Sequence, residues 1–191
     1  MLSKKYRITN RSKLKYFLDC DRRALQISNK RPSINPFKQR IWKFERLLRK
    51  TEYWSNKDGF INSIIFHFFY IRYKLKSNKF NVEIPINCIR EGLIIWHLNG
   101  IIINANSIIG KNFSISAFCV IGENKGINPR IGNNVEQMLG SKILGASVCD
   151  NVTIGASSLV IRDINKERSV FAGIPAKHIS NNYSRENRKL S

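Results

Sequence analysis

Four copies of one pattern decide the fold of this chain: Ile109-Gly-Lys-Asn112, Ile121-Gly-Glu-Asn124, Ile131-Gly-Asn-Asn134 and Ile154-Gly-Ala-Ser157. Around them an inward position returns in steps of six. Its occupants are Ile103, Ile109, Ile115 and Ile121, then Ile131, Gln137 and Ile143, then Val148, Ile154 and Val160. A helix would repeat its apolar face every three or four residues. The period of six therefore predicts a triangular coil of short stacked strands, a parallel β-helix.

The corners of this coil carry residue types that suit tight turns. Gly and Asn follow the apolar position, and both tolerate the positive φ that such corners need. Two interruptions are visible: ten residues separate Ile121 from Ile131, which predicts a projecting loop at 123–130, and five separate Ile143 from Val148. Gln137 replaces an apolar residue in one coil, for which the pattern gives no reason.

We predict three segments in the 191 residues. Residues 1–82 form a basic α-helical region, residues 83–179 form the β-helix, and residues 180–191 form a disordered tail. Within the first segment, apolar spacing predicts a helix over 13–26 with Ser12 as its cap. A second helix begins after Asn35, with Pro36 in its first turn.

The second predicted helix has an apolar stripe on one face and a basic opposite face that includes Arg46 and Arg49. A third helix, predicted from Phe60 to Leu75, is apolar nearly all round. Such a helix is usually buried, here against the second helix, the first coil or another subunit. An interfacial membrane helix is the alternative, because basic residues flank it. His67 in this helix is interpreted as structural.

Positive charge is concentrated in the N-terminal segment. The formal net charge is +20, and residues 1–82 contain 21 Lys and Arg against 5 Asp and Glu, whereas residues 83–191 contain 12 against 8. Two interpretations stay open: a solvated basic surface, or contact with an anionic partner such as a membrane, a nucleic acid or an acidic polymer. The regular stripe of the second helix suits packing better than a nucleic-acid arm, so nucleic acid is the less favoured partner.

The four cysteines are far apart in the sequence and have neither a zinc spacing nor a disulfide framework. We therefore expect no metal and a reducing, cytoplasmic location. The basic N-terminus has no apolar signal region, and the most apolar run, Phe60 to Tyr73, is too short and too polar to span a bilayer. Peripheral contact with the inner membrane face is compatible with this expectation.

One histidine stands where chemistry is possible. His97 lies in the run Trp96-His97-Leu-Asn99-Gly100 at the opening of the coil. Imidazole is the usual group that takes a proton from an attacking hydroxyl near neutral pH. By spacing alone, however, His97 is in phase with Ile103, and this favours a structural role at the first turn.

The run from Gly92 to Gly110, GLIIWHLNGIIINANSIIG, resembles the active-site coil of hexapeptide-repeat acyltransferases. It resembles more narrowly the serine acetyltransferase-like branch, which includes surface-polysaccharide O-acetyltransferases. Gly140-Ser-Lys-Ile-Leu-Gly145, Ile154-Gly-Ala-Ser-Ser158 and Ala172-Gly-Ile-Pro-Ala-Lys177 continue the likeness in order. Asp21-Arg-Arg-Ala-Leu25 and the run from Arg46 to Tyr53 resemble the helical preface of the branch.

This resemblance implies a mainly β protein with a left-handed β-helix, a homotrimer, and acetyl-CoA as the donor. His97 then corresponds to the general base. The turns at Gly140-Ser141 and Ala156-Ser157 correspond to the groups that line the pantetheine groove. Lys177 corresponds to the basic residue near the CoA phosphates, although a surface lysine with no such role is an equal alternative.

The chain also departs from serine acetyltransferases. Trp96 precedes His97 where an Asp is common, and the projecting loop offers Arg130 without a histidine. These departures favour a sugar hydroxyl over serine. Trp96 would then stack on a sugar ring, or else be a buried aromatic of the coil. Asn99 and Asn104 would hold acceptor hydroxyls, unless they are ordinary corner residues.

Three functional hypotheses follow. The first is an acetyl-CoA-dependent O-acetyltransferase that acts on a sugar or surface-polysaccharide precursor. The second keeps the fold and the donor but makes L-serine the acceptor. The third, from another class, is a catalytically silent scaffold that binds through its basic helices.

Overall fold

A computed structural model of the chain describes residues 2–28 and 35–181. A short 3₁₀ turn at Lys4–Tyr6 precedes three helices: α1 Arg11–Ala24, α2 Pro36–Ser55 and α3 Phe60–Phe80. Twelve short strands follow in the described residues: β1 Ile94–Ile95, β2 Ile102–Ile103, β3 Ile108–Ile109, β4 Ser114–Ile115, β5 Val120–Gly122, β6 Arg130–Ile131, β7 Glu136–Gln137, β8 Lys142–Leu144, β9 Val152–Ile154, β10 Leu159–Val160, β11 Ser169–Ala172 and β12 Lys177–Ser180.

The strands form the three faces of a left-handed parallel β-helix, as predicted. The first face is ordered β1-β4-β7-β9-β11-β12 and the second β10-β8-β5-β2. The third face pairs β3 with β6 and continues through single bridges at Ile89, Val148 and Ile164. The inward isoleucines of successive coils are almost completely buried, so stacking supplies the apolar core that one coil cannot form alone.

The corners have the positive φ values that their Asn and Gly residues predicted. Asn112, Asn134 and Asn151 all have positive φ, and their side-chain amides form a ladder with two hydrogen bonds of 2.9 Å. The predicted loop at 123–130 projects from a corner, with Asn124 and Ile127 bridged across it. The five-residue step is absorbed without loss of register, because Val148 still bridges both Ile131 and Ile164.

Gln137 now has a physical explanation. It is buried in the inward position, and its amide donates hydrogen bonds to the carbonyl oxygens of Val120 (3.2 Å) and Ser141 (2.9 Å). At this inward position the side chain therefore binds backbone carbonyl groups in the interior of the β-helix, where the other coils place an apolar residue.

The last turn of the chain differs from the prediction. A final strand at 169–174 is confirmed in part as β11, but residues 173–176 form a turn and β12 returns antiparallel to β11. Ser180, predicted to begin the disordered tail, is the last residue of β12. Beyond Asn181 the predicted tail lies outside the described residues.

The helices begin and end somewhat differently from the prediction. Asn35 caps α2 as expected, accepting from the N–H groups of Phe37 and Lys38. Asn10, and not Ser12, caps α1, accepting from the Lys13 N–H at 2.8 Å. The third helix continues past Leu75 to Phe80 and ends at Asn81, which adopts the left-handed conformation.

The burial predicted for α3 is right on one face only. Phe69 stacks on Trp54, and Phe44 packs against Tyr73 and Phe80, so α3 is packed on α2. Its other face is exposed along its length. No helix within the described ranges is long and apolar enough to cross a membrane.

A buried ionic network joins the helices to the first coil. Arg49, predicted on the polar face of α2, is fully buried. It binds Asp21 of α1 at 2.7 Å, Glu52 at 2.9 Å, and the carbonyl oxygens of Ile89 and Arg90. Asp21 also accepts from the N–H groups of Gly92 and Leu93, and Glu52 from that of Asn87. These side chains fix where the β-helix starts relative to α1 and α2.

Candidate active site

His97 stands on a corner that is longer than its equivalents in the stack. β1 pairs with β4 so that Ile95 is opposite Ile115, and β2 pairs with β5 so that Ile103 is opposite Ile121. The step from Ile115 to Ile121 is six residues, but the step from Ile95 to Ile103 is eight. Two extra residues therefore sit in the corner at 96–101.

The longer corner corrects the phase expected for His97. The inward residue of this coil is Ile95, which is fully buried, and His97 is exposed. Its ring has no hydrogen-bond partner among the described residues, whereas His67 and His178 each have one. The inward position that its phase with Ile103 suggested for His97 is thus wrong.

The corner of His97 is one end of a column of stacked corners. The Asn99 carbonyl accepts from the Phe118 N–H at 2.9 Å, and the Ala117 carbonyl accepts from the Gly140 N–H at 2.9 Å. The Leu139 carbonyl accepts from the Ser157 N–H at 2.8 Å. We name this column the His97 edge; it comprises residues 97–100, 116–118, 138–140 and 155–157.

Gly100 permits this corner to close. It has φ +62°, and a Cβ added there would lie 2.5 Å from the ring of Phe118. Both the backbone conformation and the contact require glycine. The ring of Phe118 therefore supports the His97 corner from the next coil.

A cavity of about 1340 Å³ opens between this corner and the N-terminal helices. Trp96, His97 and Asn99 line it from the coil. Arg23 of α1 and Lys38 and Arg40 of α2 line it from the helices, and no acidic side chain is among its described lining residues. The cavity is therefore electropositive and suits an anionic ligand or an anionic group on one.

Trp96 is oriented for contact with a ligand. Its side chain is 45% exposed, and its indole N–H donates to the Ser114 hydroxyl at 2.8 Å. The alternative of a buried aromatic is wrong. The coil thus holds the indole N–H, and the half-exposed side chain lines the cavity.

The other predicted acceptor residues are distributed differently. Asn99 is exposed beside His97. Asn104 lies at the next corner, where its side chain accepts from the Asn106 N–H at 2.8 Å, and Arg130 is exposed in β6 on the third face. Neither Asn104 nor Arg130 lines the cavity of His97. Within one chain the structure does not bring them to His97.

The predicted CoA residues lie largely on the His97 edge. Gly140, Ala156 and Ser157 occupy successive corners of it, and a Cβ at Gly140 would lie 3.4 Å from the Ser157 hydroxyl. Ser141 is fully buried, and its hydroxyl donates to the Met138 carbonyl. Lys177 is exposed at the start of β12. Gly140, Ala156 and Ser157 are small and at least partly exposed, so a ligand can approach the backbone at these positions.

Glu45 binds the backbone of β1, the strand that leads into Trp96 and His97. It is fully buried in α2 and accepts from the N–H of Ile95, the residue before Trp96, at 3.2 Å. Its second carboxyl oxygen has no partner among the described residues. Burial, and then the charge of Asp21, raise the pKa of Glu45 well above its ordinary value.

The raised pKa of Glu45 predicts a pH-dependent stability. Because the folded state holds the proton more tightly than the unfolded state, this stabilisation is complete below the ordinary carboxyl pKa and is lost as the pH rises through the raised value. Glu45→Gln keeps the acceptor for Ile95 without a charge. We expect urea unfolding to show the variant gaining stability relative to the wild type as the pH rises from the ordinary carboxyl pKa toward the raised pKa of Glu45. Glu83→Gln, at an exposed carboxylate, is the matched control and should show no such gain.

Neither the buried ionic network nor the cations of the cavity was predicted from the sequence. Only five acidic residues occur in 1–82, and three of them, Asp21, Glu45 and Glu52, are buried. The scarcity of acidic residues in a basic segment was the available signal. Within the described residues no cluster of three or more His, Cys, Asp or Glu side chains could hold a metal ion, and all four cysteines are free.

Comparison with known proteins identifies similar chains. No family model matches. A protein of Synechococcus elongatus is 33% identical over 94 residues, which cover 47% of this chain and 38% of that protein. One of Buchnera aphidicola is 37% identical over 110 residues, covering 54% and 42%. Both are serine acetyltransferases. The matched part is thus about two fifths of the length of each relative.

Solved structures of serine acetyltransferases share the fold. The Brucella abortus enzyme superposes with a TM-score of 0.70 at 19% identity, covering 90% of this chain and 71% of that one. The soybean apoenzyme gives 0.67 at 20% identity, covering 88% and 69%. At this identity the likeness establishes the architecture, a β-helix with an N-terminal helical segment. It supports the hexapeptide-repeat fold that the sequence suggested.

Proposed function

We propose that this protein is an acetyl-CoA-dependent O-acetyltransferase in which His97 is the general base. The observation that carries the proposal is the lengthened corner, which presents an exposed imidazole to an electropositive cavity at one end of a column of stacked corners. The similarity to serine acetyltransferases supports it, and one solved relative is a complex with CoA.

The proposed reaction is a direct transfer. The neutral His97 ring accepts the proton of the acceptor hydroxyl as its oxygen attacks the carbonyl carbon of the thioester. A backbone N–H of the corner stabilises the tetrahedral oxyanion. The C–S bond then breaks, and the thiolate of CoA leaves and takes the proton from the imidazolium. Gly140, Ala156 and Ser157 would hold the pantetheine arm, and Lys177 the phosphates.

We propose L-serine as the first acceptor to test. The matched relatives are serine acetyltransferases, and a similar soybean structure is a complex with serine. The cations of the cavity suit a carboxylate. A sugar hydroxyl, the acceptor favoured by the sequence departures, remains the second candidate because Trp96 is exposed and held in place for stacking.

The predicted homotrimer stays a prediction, with one structural argument in its favour. Asn104 and Arg130 lie away from the His97 edge. They can serve an acceptor at His97 only if a second copy brings them there. The exposed apolar corner residues Phe118, Met138 and Leu139 suit such a contact.

Release of free thiol from acetyl-CoA tests the proposal and separates the acceptors. The purified chain is supplied with acetyl-CoA and either L-serine or a panel of sugars and sugar phosphates. Turnover with serine supports the first acceptor, and turnover with sugars alone supports the second. Absence of turnover with every acceptor, together with salt-sensitive binding of an anionic polymer, would favour the scaffold hypothesis.

The cavity cations predict a defect in acceptor binding. Arg23→Gln and Lys38→Gln are each expected to raise the KM for the acceptor about tenfold with little change in kcat, because each removes a charge that binds substrate and transition state alike. The KM for acetyl-CoA should not change. Lys43→Gln, on an exposed part of α2 outside the cavity, is the control. A rise in the KM for acetyl-CoA instead would show that these cations bind the CoA phosphates.

A further inference from the structure

The exposed face of α3 is an uninterrupted apolar stripe. The exposed fraction is 82% for Phe60 and 73% for Ile61. It is above one half for Ile64, Phe68, Ile71 and Leu75 as well. We name as the α3 stripe the residues Phe60, Ile61, Ile64, Phe68, Ile71 and Leu75. Their spacing places them on one arc of the helix, about 100° wide.

The stripe cannot turn inward, because the opposite face of α3 is fixed. The ring of Phe69 stacks on Trp54, Tyr73 packs on Phe44, and the Tyr73 hydroxyl donates to the Ile84 carbonyl at 2.5 Å. Tyr73 and Ser77 are the buried residues of the helix. The fold therefore holds the stripe toward solvent, and nothing in the described part of the chain covers it.

The charges around the stripe have a single sign. Residues 60–80 contain no Asp or Glu, and they contain Arg72, Lys74, Lys76 and Lys79. The ion pairs of the described residues do not involve any of these four. Arg72 lies over the ring of Phe68 at 5.2 Å, and Lys74 over that of Tyr70 at 6.0 Å, so both cations stay beside the apolar surface.

We propose that α3 lies flat on an anionic lipid bilayer. Its stripe would occupy the boundary between headgroups and acyl chains, and its cations would meet lipid phosphates. A second copy of the chain fits this surface less well, because two such helices would bring together eight cations without a compensating acid. An anionic lipid surface matches the apolar area and the charge together. The proposal does not depend on the acceptor or on the chemistry at His97.

Co-sedimentation with lipid vesicles tests the proposal on the full chain. We expect the wild type to sediment with vesicles of phosphatidylglycerol and phosphatidylcholine but not with phosphatidylcholine alone. Ile64→Glu/Phe68→Glu should lower the bound fraction on the mixed vesicles at least tenfold. The control Asn62→Glu/Ser63→Glu adds the same charge to α3 outside the arc of the stripe and should lose much less.

Two further readouts keep the result decisive. Circular dichroism and thiol release in solution should be the same for both variants, because none of these side chains is buried and all are distant in the chain from the coil. Equal loss of vesicle binding in both variants would show that charge alone binds lipid, and would overturn the role of the stripe. Failure of the wild type to bind anionic vesicles, with a lower molar mass of the stripe variant in solution, would make the stripe an interface between copies and overturn the proposal.

Discussion

Replacement of His97 by alanine is expected to lower kcat about 10²- to 10⁴-fold, the usual contribution of a positioned general base. The side chain is exposed and binds no other described group, so its removal leaves no cavity and no unpaired partner. The free energy of unfolding should therefore stay within about 0.5 kcal/mol of the wild type. Steady-state thiol release and urea unfolding measure the two quantities on one preparation.

His67→Ala is the matched control for this prediction. His67 is also exposed, but it lies on α3, where its ring bonds the Ser63 carbonyl oxygen at 2.7 Å. It should leave kcat unchanged. A His97→Ala protein as active as the wild type would remove His97 from the reaction, and with it the observation on which the proposed function depends.

The faces of the β-helix could be predicted from the sequence because one inward residue per side leaves a regular period. The position of His97 could not. Ile94, Ile95 and Leu98 are all apolar, so the sequence fits a coil that counts inward from His97 as well as one that counts from Ile95. Only the pairing of Ile95 with Ile115 separates the two, and it shows a corner two residues longer than the next.

The candidate site was predictable only on its coil side. Trp96, His97 and Asn99 are close in sequence and meet in the cavity, but the cations opposite them come from α1 and α2. Their placement depends on how the helices dock, which the apolar stripe of α2 does not define. Arg49 illustrates the difficulty: its neighbours Arg46 and Lys50 are basic, yet only Arg49 is fully buried.

The all-round apolar pattern of α3 predicts burial on every face. That prediction fails on one face, because the pattern depends only on which residues the helix contains and not on how many surfaces of the fold can cover it. In this fold α2 covers one face of α3. In the described part of the chain nothing covers the apolar residues of the other face, which an anionic lipid surface would cover.

Arg49→Met is expected to have the largest effect on stability, a loss of about 3–5 kcal/mol in the free energy of unfolding. The substitution keeps a side chain of similar length but leaves Asp21 and Glu52 buried without their cation. It also leaves the carbonyl oxygens of Ile89 and Arg90 without their donor. Urea unfolding followed by circular dichroism measures the loss.

Arg46→Met on the same helix is the control, because Arg46 is exposed and its guanidinium lies over the ring of Trp42 at 5.8 Å. It should cost less than about 1 kcal/mol. Arg49→Lys should restore little, since one ammonium cannot replace a planar guanidinium that binds two carboxylates and two carbonyl oxygens at once. If Arg49→Met unfolded at the urea concentration of the control, the ionic network would not be what docks α1 and α2 on the first coil. Another interaction would then have to hold α1 and α2 in place, so that Arg23, Lys38 and Arg40 line the cavity of His97.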